Sequence, residues 1–386
     1  MRRGSASAVA VLERRRSKDG PTPVRPCIPR PRRSMIPVIT DPGYVKPEKR
    51  NALDRWLVSL IRDERDLPFV HLSLSATLVL FPMIIAFFIP GVLRWWMALV
   101  YWGVLLGFFL DRYILMLHNT SHLPLFRKNL AFLNHYIPWV LGPLFGETPE
   151  TYYSHHIGMH HAENNMYNDL SSTLRYRRDS IVDFARYFGR FFFLGVGELA
   201  LYFARRGKNK LGVKAVIGEL SWFAVVIGLL FLNPAATFTV LIAPFLFTRM
   251  AMMAGNWGQH AFVDAASPAN NYRNSITCIN TRYNKRCFND GYHISHHLRA
   301  ARHWTEHPDE FVRNIDRYRQ ENAIIFEGVD FFQVWMLLMA KNYKGLADRM
   351  VDLGEPRTTE QKIALIMQRI QPIPPSEIPI GDGVPA

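Results

Sequence analysis

Residues 95–122 of this 386-residue chain read WWMALVYWGVLLGFFLDRYILMLHNTSH. A helix needs about 20 mostly apolar residues to cross the hydrocarbon core of a bilayer. The apolar part of this stretch, 95–117, meets that length and leads directly into His118-x3-His122. The stretch therefore predicts a membrane helix that delivers two potential metal ligands to the membrane surface.

Hydrophobic residues make up 49% of the chain and are concentrated in a few long runs. The four runs are 67–90, 95–117, 215–233 and 236–254. The last two carry Glu219 and Arg249 near one end and are separated by Asn233-Pro234, so we expect a helical hairpin there. The predicted fold is an all-α integral membrane protein with about four transmembrane helices and a cytosolic helical cap that carries the histidines.

Histidines occur in closely spaced sets beside these runs, and neutral imidazole is the commonest metal ligand in proteins. Residues four apart share one face of a helix, so His118 and His122 can point at one metal ion. His156 and His160 have the same relation, and adjacent His161 points in a second direction. Adjacent ligands diverge and suit two ions better than one. The predicted ligands are His118, His122, His156, His160, His161, Asn256, His260, His293, His296 and His297.

Four crossings from a cytosolic N-terminus put every set on the cytosolic face of a multi-pass protein. Segment 175–214 holds ten Lys and Arg residues, whereas the turns on the opposite side offer only Arg94, and basic residues favour cytosolic loops. There are two further apolar segments, 130–146 and 187–204. If either crossed the membrane, the later histidine sets would lie on the opposite side from the earlier ones. We therefore expect both to be interfacial or re-entrant, and we expect 331–339 to lie against the bilayer as well.

The identity of the metal follows only in part from the ligands, because imidazole suits zinc, copper, iron and nickel. A zinc peptidase needs Glu directly after its first histidine, and Asn119 occupies that position. A transporter would place polar ligands near the middle of the membrane, whereas these lie at the ends of spans and in polar segments. A metal-binding transporter or sensor remains the alternative of another class. Oxygen-activating iron fits best, because it oxidises C–H bonds that side chains alone cannot attack.

Two residues beside the histidine sets are candidates either to bind a metal ion or to hydrogen-bond a metal-binding histidine. His155 points about 100° away from His156 on a helix. Asp111 lies seven residues before His118 and shares its face two turns deeper, and metal-bound imidazoles commonly donate their other N–H to a carboxylate. Further possible partners of ligands are Glu147, Asp264, Asn289 and Asp290. The histidines expected outside the site are His71, His135, His303 and His307.

These spacings resemble the membrane fatty acid desaturase superfamily, whose signature is three histidine boxes between membrane spans. The first box is similar to His118-x3-His122, and the third is similar to His293-x2-His296-His297. Asn256-x3-His260 is similar to the additional Asn/His pair of acyl-CoA desaturases. The resemblance covers roughly 65–310 and implies an O2-dependent desaturase with two iron ions. These would be held by about nine histidines, with Asn256 contacting iron directly or through water.

The second box departs from the usual desaturase pattern, because His156-x3-His160-His161 has one residue more than His-x2-His-His. The wider spacing resembles the related membrane alkane hydroxylases, which also carry an Asn-x3-His element. Desaturation and hydroxylation both begin with hydrogen abstraction and diverge in the fate of the carbon radical. Hydroxylation of an alkyl or lipid substrate therefore stays open beside desaturation, which the overall resemblance favours.

The resemblance also implies partners. Electrons would come from a separate cytochrome b5 or ferredoxin with its reductase, because His307-Pro308 lacks the Gly-Gly of a cytochrome b5 heme motif. The substrate would be a lipid acyl chain among membrane lipids, and no nucleic acid is expected. The basic cytosolic face can attract an acidic electron donor or anionic lipid headgroups.

The chain is expected to have three parts. Region 1–65 is basic and largely disordered with a short helix before the membrane, 66–345 is the membrane desaturase domain, and 346–386 is a C-terminal helix with a Pro-rich tail. The first 34 residues are rich in Arg, Ser and Pro, and whether they are a targeting segment stays open. Three cysteines without paired spacing predict no disulfide framework.

Overall fold

The computed structural model describes residues 37–377, which form helices with one small sheet. The α-helices are α1 Ala52–Leu60, α2 Glu64–Phe88, α3 Trp95–His122, α4 151–163, α5 Ile181–Arg205, α6 Asn209–Leu232, α7 Pro234–Gln259, α8 Asn271–Asn274, α9 Arg282–Arg286, α10 His293–Leu298, α11 His307–Arg313, α12 Ile315–Gln320, α13 Phe331–Met339, α14 Tyr343–Ala347 and α15 Thr359–Arg369. The parallel strands are β1 Thr277–Ile279 and β2 Ile325–Glu327. The predictions for residues 1–34 lie outside the described residues.

Four helices among residues 37–377 are long and apolar enough to cross a membrane, namely α2, α3, α6 and α7. Their outer faces carry large apolar side chains such as Leu78, which is 74% exposed, and Phe231, which is 89% exposed. Apolar surface on this scale needs a lipid environment. The protein is an all-α membrane protein, as predicted, and α3 continues beyond the apolar run to end at His122.

The predicted hairpin between the last two spans turns at Asn233. The side-chain oxygen of Asn233 accepts a hydrogen bond from Ala236 N, which caps the start of α7, and its Nδ2 donates to Phe87 O at the end of α2. The two charges noted in these spans face each other, with Arg249 Nη2 lying 2.7 Å from Glu219 Oε2. This pairing offsets the cost of placing both charges in membrane helices.

The two apolar segments expected at the interface take different forms. Segment 128–145 is a series of short 3-10 and π-helical turns, Lys128–His135, Ile137–Leu141 and Gly142–Phe145. Segment 187–204 belongs to α5, which packs antiparallel to α6 across a tight turn at Gly207, whose φ is +67°. Their interfacial position stays a prediction.

The residues after α7 cover the ends of the spans. β1 pairs with β2, and α13 packs Phe331, Val334 and Leu338 into a core shared with α14 and α15. Phe332 and Met336 on α13 remain about 40% and 44% exposed. The contact of α13 with the bilayer stays a prediction.

Residues from both ends of the described chain hold this cap in place. Before α1, the buried carboxylate of Asp41 accepts hydrogen bonds from Asn284 Nδ2 and Tyr292 Oη. Arg178 is fully buried and donates to backbone carbonyls on two sides, to Ala261 O and to Arg369 O and Gln371 O. The C-terminal residues are thereby tied to the chain that follows α7.

Candidate metal centre

The structure brings the nine predicted histidine ligands together in two adjacent clusters. In cluster 1, the ring nitrogens of His118, His122, His156 and His296 lie within 4.8 Å of one another. His161 joins this cluster, because its Nε2 lies 3.1 Å from His156 Nε2 and 2.9 Å from His296 Nε2. Cluster 2 has the same compactness and consists of His160, His260, His293 and His297.

The distances between ring nitrogens fit ligands that share an ion. In cluster 1, His118 Nε2 lies 3.0 Å from His296 Nε2, and His122 Nε2 lies 3.0 Å from His156 Nε2. In cluster 2, His293 Nε2 lies 3.2 Å from His260 Nε2 and 3.0 Å from His297 Nε2. Two metal–nitrogen bonds of about 2.1 Å at a right angle separate their nitrogens by about 3.0 Å. The donor set therefore suits two metal ions.

Two spans and two shorter helices supply these side chains. His118 and His122 lie in the last turns of α3. Asn256 lies in the last turn of α7, and His260 follows directly after that helix. α3 and α7 are the second and fourth of the four spans, with one crossing, α6, between them. Both therefore run in the same direction, and these ends meet on one side of the membrane. α4 and α10 lie across those ends and provide the remaining ligands.

The second histidine box contains a π-turn. His161 N donates its hydrogen bond to His156 O, five residues earlier, instead of four as in a regular α-helix. The wider turn brings His156 and His161 into cluster 1 and turns His160 to cluster 2. The expectation that His156 and His160 point at one ion was wrong, because it assumed regular α-helical geometry throughout the box.

The third box also divides its three histidines between the two clusters, but it does so with regular α-helical geometry. His293 and His297, four residues apart on α10, belong to cluster 2, whereas His296 belongs to cluster 1. In the second and third boxes the first and last histidines thus share an ion site, and the middle one faces the other site. The additional residue of the second box is absorbed by the π-turn.

A buried carboxylate orients His160. Asp169 Oδ2 lies 2.7 Å from His160 Nδ1, and both residues are at most 2% exposed. Ser171 donates to Asp169 Oδ1 from its backbone N and from Oγ, which fixes the carboxylate in turn. This contact leaves Nε2 of His160 for a metal ion.

Two further ligands have partners at Nδ1. His118 Nδ1 lies 3.3 Å from Asp290 Oδ1, and Asp290 also accepts from Tyr283 Oη. His260 Nδ1 lies 3.1 Å from both the backbone oxygen and Oδ1 of Asn274. Asp290 was among the expected partners. Asp169 and Asn274 were not, because neither has a regular sequence spacing to its histidine.

Burial favours the neutral, metal-binding form of the imidazoles of His161, His260, His293, His296 and His297. It lowers the pKa of His293, His296 and His297 well below the usual value, and the neighbouring histidines lower it further. The same causes lower the pKa of His161 to about 2, and burial is the main cause that lowers that of His260 to about 4. These five histidines therefore offer free nitrogen lone pairs at neutral pH.

Asn256 presents an oxygen beside the clusters. Its Nδ2 donates to Ser171 O at 3.0 Å and to Tyr187 Oη at 2.7 Å, which leaves Oδ1 as the acceptor. Asn256 also lies one helical turn before His260 and lines the same cavity as His160 and His293.

The two residues of uncertain role take positions beside the clusters. His155 stacks on His160 with ring centroids 6.4 Å apart, lies outside both clusters, and its buried Nε2 has no hydrogen-bond partner among residues 37–377. Asp111 forms an ion pair with Arg286 from α9, not with a histidine. Both line the cavity described below.

The remaining expected partners lie apart from the ligands. Asp264 pairs with Arg273 and Arg369, and Asn289 donates to Pro42 O and Trp304 O. Glu147 forms no hydrogen bond with its side chain among the described residues. Of the histidines expected outside the site, none belongs to either cluster: His71 pairs with Asp54, His135 lies near Glu150, His303 pairs with Asp66 and His307 contacts Ser295.

A cavity of about 440 Å³ reaches the clusters from the side of the spans. Its ligand end includes His118, His156, His160 and His293. Most of its remaining wall is apolar and comes from α3, α5, α7 and α13, including Leu106, Leu110, Ile114, Phe191, Val196, Leu199, Phe247 and Phe331. The volume and the largely apolar lining suit a hydrocarbon chain.

A family model described as fatty acid desaturase matches residues 94–328. The chain belongs to the fatty acid desaturase family. This confirms the resemblance drawn from the histidine boxes, and the matched region contains all nine histidines and Asn256. Comparisons with curated proteins and with solved structures found no match.

Membership of the fatty acid desaturase family gives the clusters a chemical context. Histidines that hold metal ions are expected in this family, and two compact groups of them are present. A cavity lined by apolar side chains leads to these groups, as a family that acts on acyl chains requires. That the nine histidines and Asn256 bind metal stays a prediction.

Proposed function

We propose that this protein is a membrane-bound di-iron fatty acyl desaturase that introduces a double bond into a lipid acyl chain with O2 and two electrons. One observation carries the proposal: two adjacent clusters of imidazole nitrogens open onto a largely apolar cavity in a member of the fatty acid desaturase family. When bound, a di-iron centre supplies the O2-dependent oxidation of C–H bonds that no amino-acid side chain can attack.

The protein's own contribution begins with the ligands. The five histidines of cluster 1 would hold one iron ion, and the four of cluster 2, with Asn256 Oδ1, would hold the other. Asp290, Asp169 and Asn274 keep the Nδ1 atoms of three ligands occupied and so direct Nε2 inward. Such contacts make the site rigid before the ions bind.

The cavity would position the substrate. Its apolar walls hold the methylene chain by dispersion and by exclusion of water, and its ligand end places part of that chain beside His156 and His293. Exclusion of water from this end also limits side reactions of the oxidising centre. The chain contributes orientation and a dry environment.

The side on which electrons arrive is part of the proposal. The ligands of α3 and α7 lie at the ends of two spans that point the same way, and the basic segment 175–214 joins α4 to α6 on that side. Basic loops favour the cytosol, which supports a cytosolic position of both clusters. A separate cytochrome b5 or ferredoxin with its reductase would deliver the electrons there.

Hydroxylation of an alkyl or lipid chain is the second candidate, and the wider second box favours it. The π-turn weakens that argument, because it delivers the three histidines to the clusters in the same division as the third box. The spacing of the second box therefore does not distinguish the two reactions. Membership of the fatty acid desaturase family favours desaturation.

The test is lipid mass spectrometry of cells that express the chain with a compatible electron donor. The wild-type protein should add double bonds to acyl chains, and His297→Ala should abolish them and lower the iron content from about two ions per chain. His135→Ala is the matched control, because His135 is 66% exposed and lies outside both clusters. It should keep full activity.

Each of the other outcomes of this experiment leads to a different conclusion about the function. Oxygenated chains without new double bonds would move the assignment to a hydroxylase. Neither product, with iron bound and electrons supplied, would contradict both enzyme functions and favour a metal-binding transporter or sensor. Unchanged products in His297→Ala would exclude cluster 2 from the chemistry.

A further inference from the structure

The cavity has one strongly polar wall. Glu147, Thr148 and Arg249 are each at most 6% exposed, and with Glu219 they form what we call the buried polar cluster. Glu147 and Arg249 line the same cavity as the histidines. Asp111, Thr151 and Tyr152 also line the cavity, but most of its remaining wall is apolar. Two further buried charged side chains, Glu147 and Arg249, are not expected of a cavity that holds only hydrocarbon.

Arg249 is only partly satisfied within the cluster. Its Nη2 donates to Glu219 Oε2 at 2.7 Å and to Thr148 Oγ1 at 3.1 Å, and its guanidinium carbon lies 4.2 Å from the centre of the Phe245 ring. Thr148 Oγ1 itself donates to Glu219 Oε2 at 2.6 Å. Nε and Nη1 of Arg249 make no hydrogen bond within residues 37–377, so donors remain available.

Glu147 has no partner at all in the described part of the chain. Its Oε1 is fully buried, neither carboxyl oxygen takes part in a hydrogen bond, and the nearby guanidinium is already paired with Glu219. Burial raises the pKa of Glu147 to about 7, with Glu219 adding to the rise and Arg249 opposing it. At neutral pH the carboxyl can therefore act as a donor or an acceptor.

A buried polar group without a hydrogen-bond partner costs free energy, because it gives up its hydrogen bonds to water without replacing them. No hydrogen bond to the Glu147 carboxyl stabilises the fold within the described residues. An ionisable side chain in this setting is best explained by a ligand that completes its hydrogen bonds. The free donors of Arg249 and the free oxygens of Glu147 together match a group that both accepts and donates.

The helix α7 gives the position of this group. Arg249 lies seven residues before Asn256, which is two helical turns and about 10 Å along the axis. Both residues line the cavity, with Asn256 at the histidine end. A chain lying along α7 would place one carbon at the clusters and a group several methylenes away at the buried polar cluster.

We propose that the buried polar cluster binds a hydroxyl group on the substrate chain, with Glu147 and Arg249 as the specificity-determining residues. The substrate class is then a long-chain lipid with a hydroxyl remote from the oxidised carbon, not a plain hydrocarbon chain. This inference rests on the proposed function, because it takes the cavity to be the substrate site.

The test measures binding to the purified, iron-loaded full-length protein in detergent. The probes are hexadecan-1-ol, hexadecane and hexadecanoate, and the apparent Kd comes from the rise of the unfolding temperature with probe concentration. Hexadecan-1-ol should bind about tenfold more tightly than hexadecane, as one hydrogen bond to a charged or polar partner allows. Glu147→Leu should remove that preference and leave hexadecane binding unchanged.

Glu147→Gln is the second variant, because an amide keeps both an acceptor and a donor at this position. It should retain the preference for the alcohol to within about threefold. Equal affinity of the wild-type protein for alcohol and alkane would overturn the proposal, as would tighter binding of hexadecanoate than of the alcohol. These outcomes involve no turnover, so they are distinguishable from a failure of the proposed desaturase activity, which is scored by lipid products.

Discussion

Asp169 determines which nitrogen of His160 is available to a metal ion. The contact of its carboxylate with Nδ1 holds the ring in one tautomer and one orientation. Both residues are buried, so water cannot replace the lost partner if the carboxylate is removed. At the scale of single residues, the site therefore depends on side chains that touch no metal.

Asp169→Asn should lower the affinity of cluster 2 for iron by about 10- to 100-fold, because the amide is a poorer acceptor for the imidazole N–H. Iron content after dialysis against a chelator measures this, and about one ion per chain should remain. Asp348→Asn is the control, since Asp348 pairs with Lys344 on an exposed face of the C-terminal region and lies outside both histidine clusters. Full iron content in Asp169→Asn would contradict the orienting role.

Glu147→Gln should change how stability depends on pH. The folded-state pKa of about 7 lies above the ordinary value of 4.5, so the stabilisation by the neutral carboxyl is complete below about pH 4.5 and is lost as pH rises through 7. The amide does not titrate. From pH 5 to pH 8 the free energy of unfolding of the variant should therefore rise relative to that of the wild type, by on the order of 3 kcal/mol at most.

Unfolding temperatures of both proteins at pH 5 and pH 8 measure this change. The difference between variant and wild type isolates Glu147, because all other titrating groups are common to both. A difference that is the same at the two pH values would show that Glu147 is ionised in the folded protein throughout this range.

At the scale of elements, α4 shows how a helix can carry one extra residue without displacing its ligands. The hydrogen bond from His161 N to His156 O closes a wider ring, and the residues on either side continue as helix. Gly158 lies within this turn, where a Cβ would come within 2.7 Å of the Phe203 ring. Close packing against α5 thus accompanies the bulge.

Deletion of Ile157 should therefore be tolerated. It would shorten the second box to the spacing of the third and convert the π-turn to a regular α-helical turn, with the same three histidines at the two clusters. Iron content should stay near that of the wild type. Deletion of Ile294 from the regular helix α10 is the comparison, and it should lower iron content at least tenfold because no spare residue exists there.

Iron content and the elution profile of each purified deletion variant provide the measurement. Equal loss of iron in both variants would mean that the bulge is required for ligation.

The sequence predicts the elements well where the signal is local. Hydropathy located all four spans, because each apolar run must match the lipid environment by itself. The spacing of the histidine boxes identified all the histidines that lie in the two clusters. The division of His156 and His160 between clusters was not predictable, because it depends on one hydrogen bond in the backbone. Asp169 and Asn274 were missed because only the fold brings them to their histidines.

At the scale of the whole molecule, the C-terminal region supports the histidines from a distance in sequence. Arg178 links Ala261 O, directly after His260, to the carbonyls of Arg369 and Gln371. Arg369 also pairs with Asp264 at 2.8 Å. Residues 346–377 thus pack against the chain that carries the ligands, although the sequence places them after the membrane domain.

Truncation after Arg357 should therefore lower iron content at least tenfold, although it removes no histidine. It leaves the buried guanidinium of Arg178 without two of its acceptors and takes Ile366 and Ile370 out of the core. Truncation after Glu377 is the control and should keep wild-type iron content. Normal loading of the shorter protein would show that the C-terminal helix is dispensable for the site.

The π-turn of α4 has a consequence for tracing the ancestry of this protein. An insertion inside a helix usually rotates everything beyond it by about 100°, which selection against lost function would remove. A bulge confines the change to one turn, so lineages with either spacing can interconvert by a single codon. An alignment that pairs histidines by counting from the start of the box would match His160 with a residue that serves the other ion. Evolutionary trees built on box spacing would then separate close relatives.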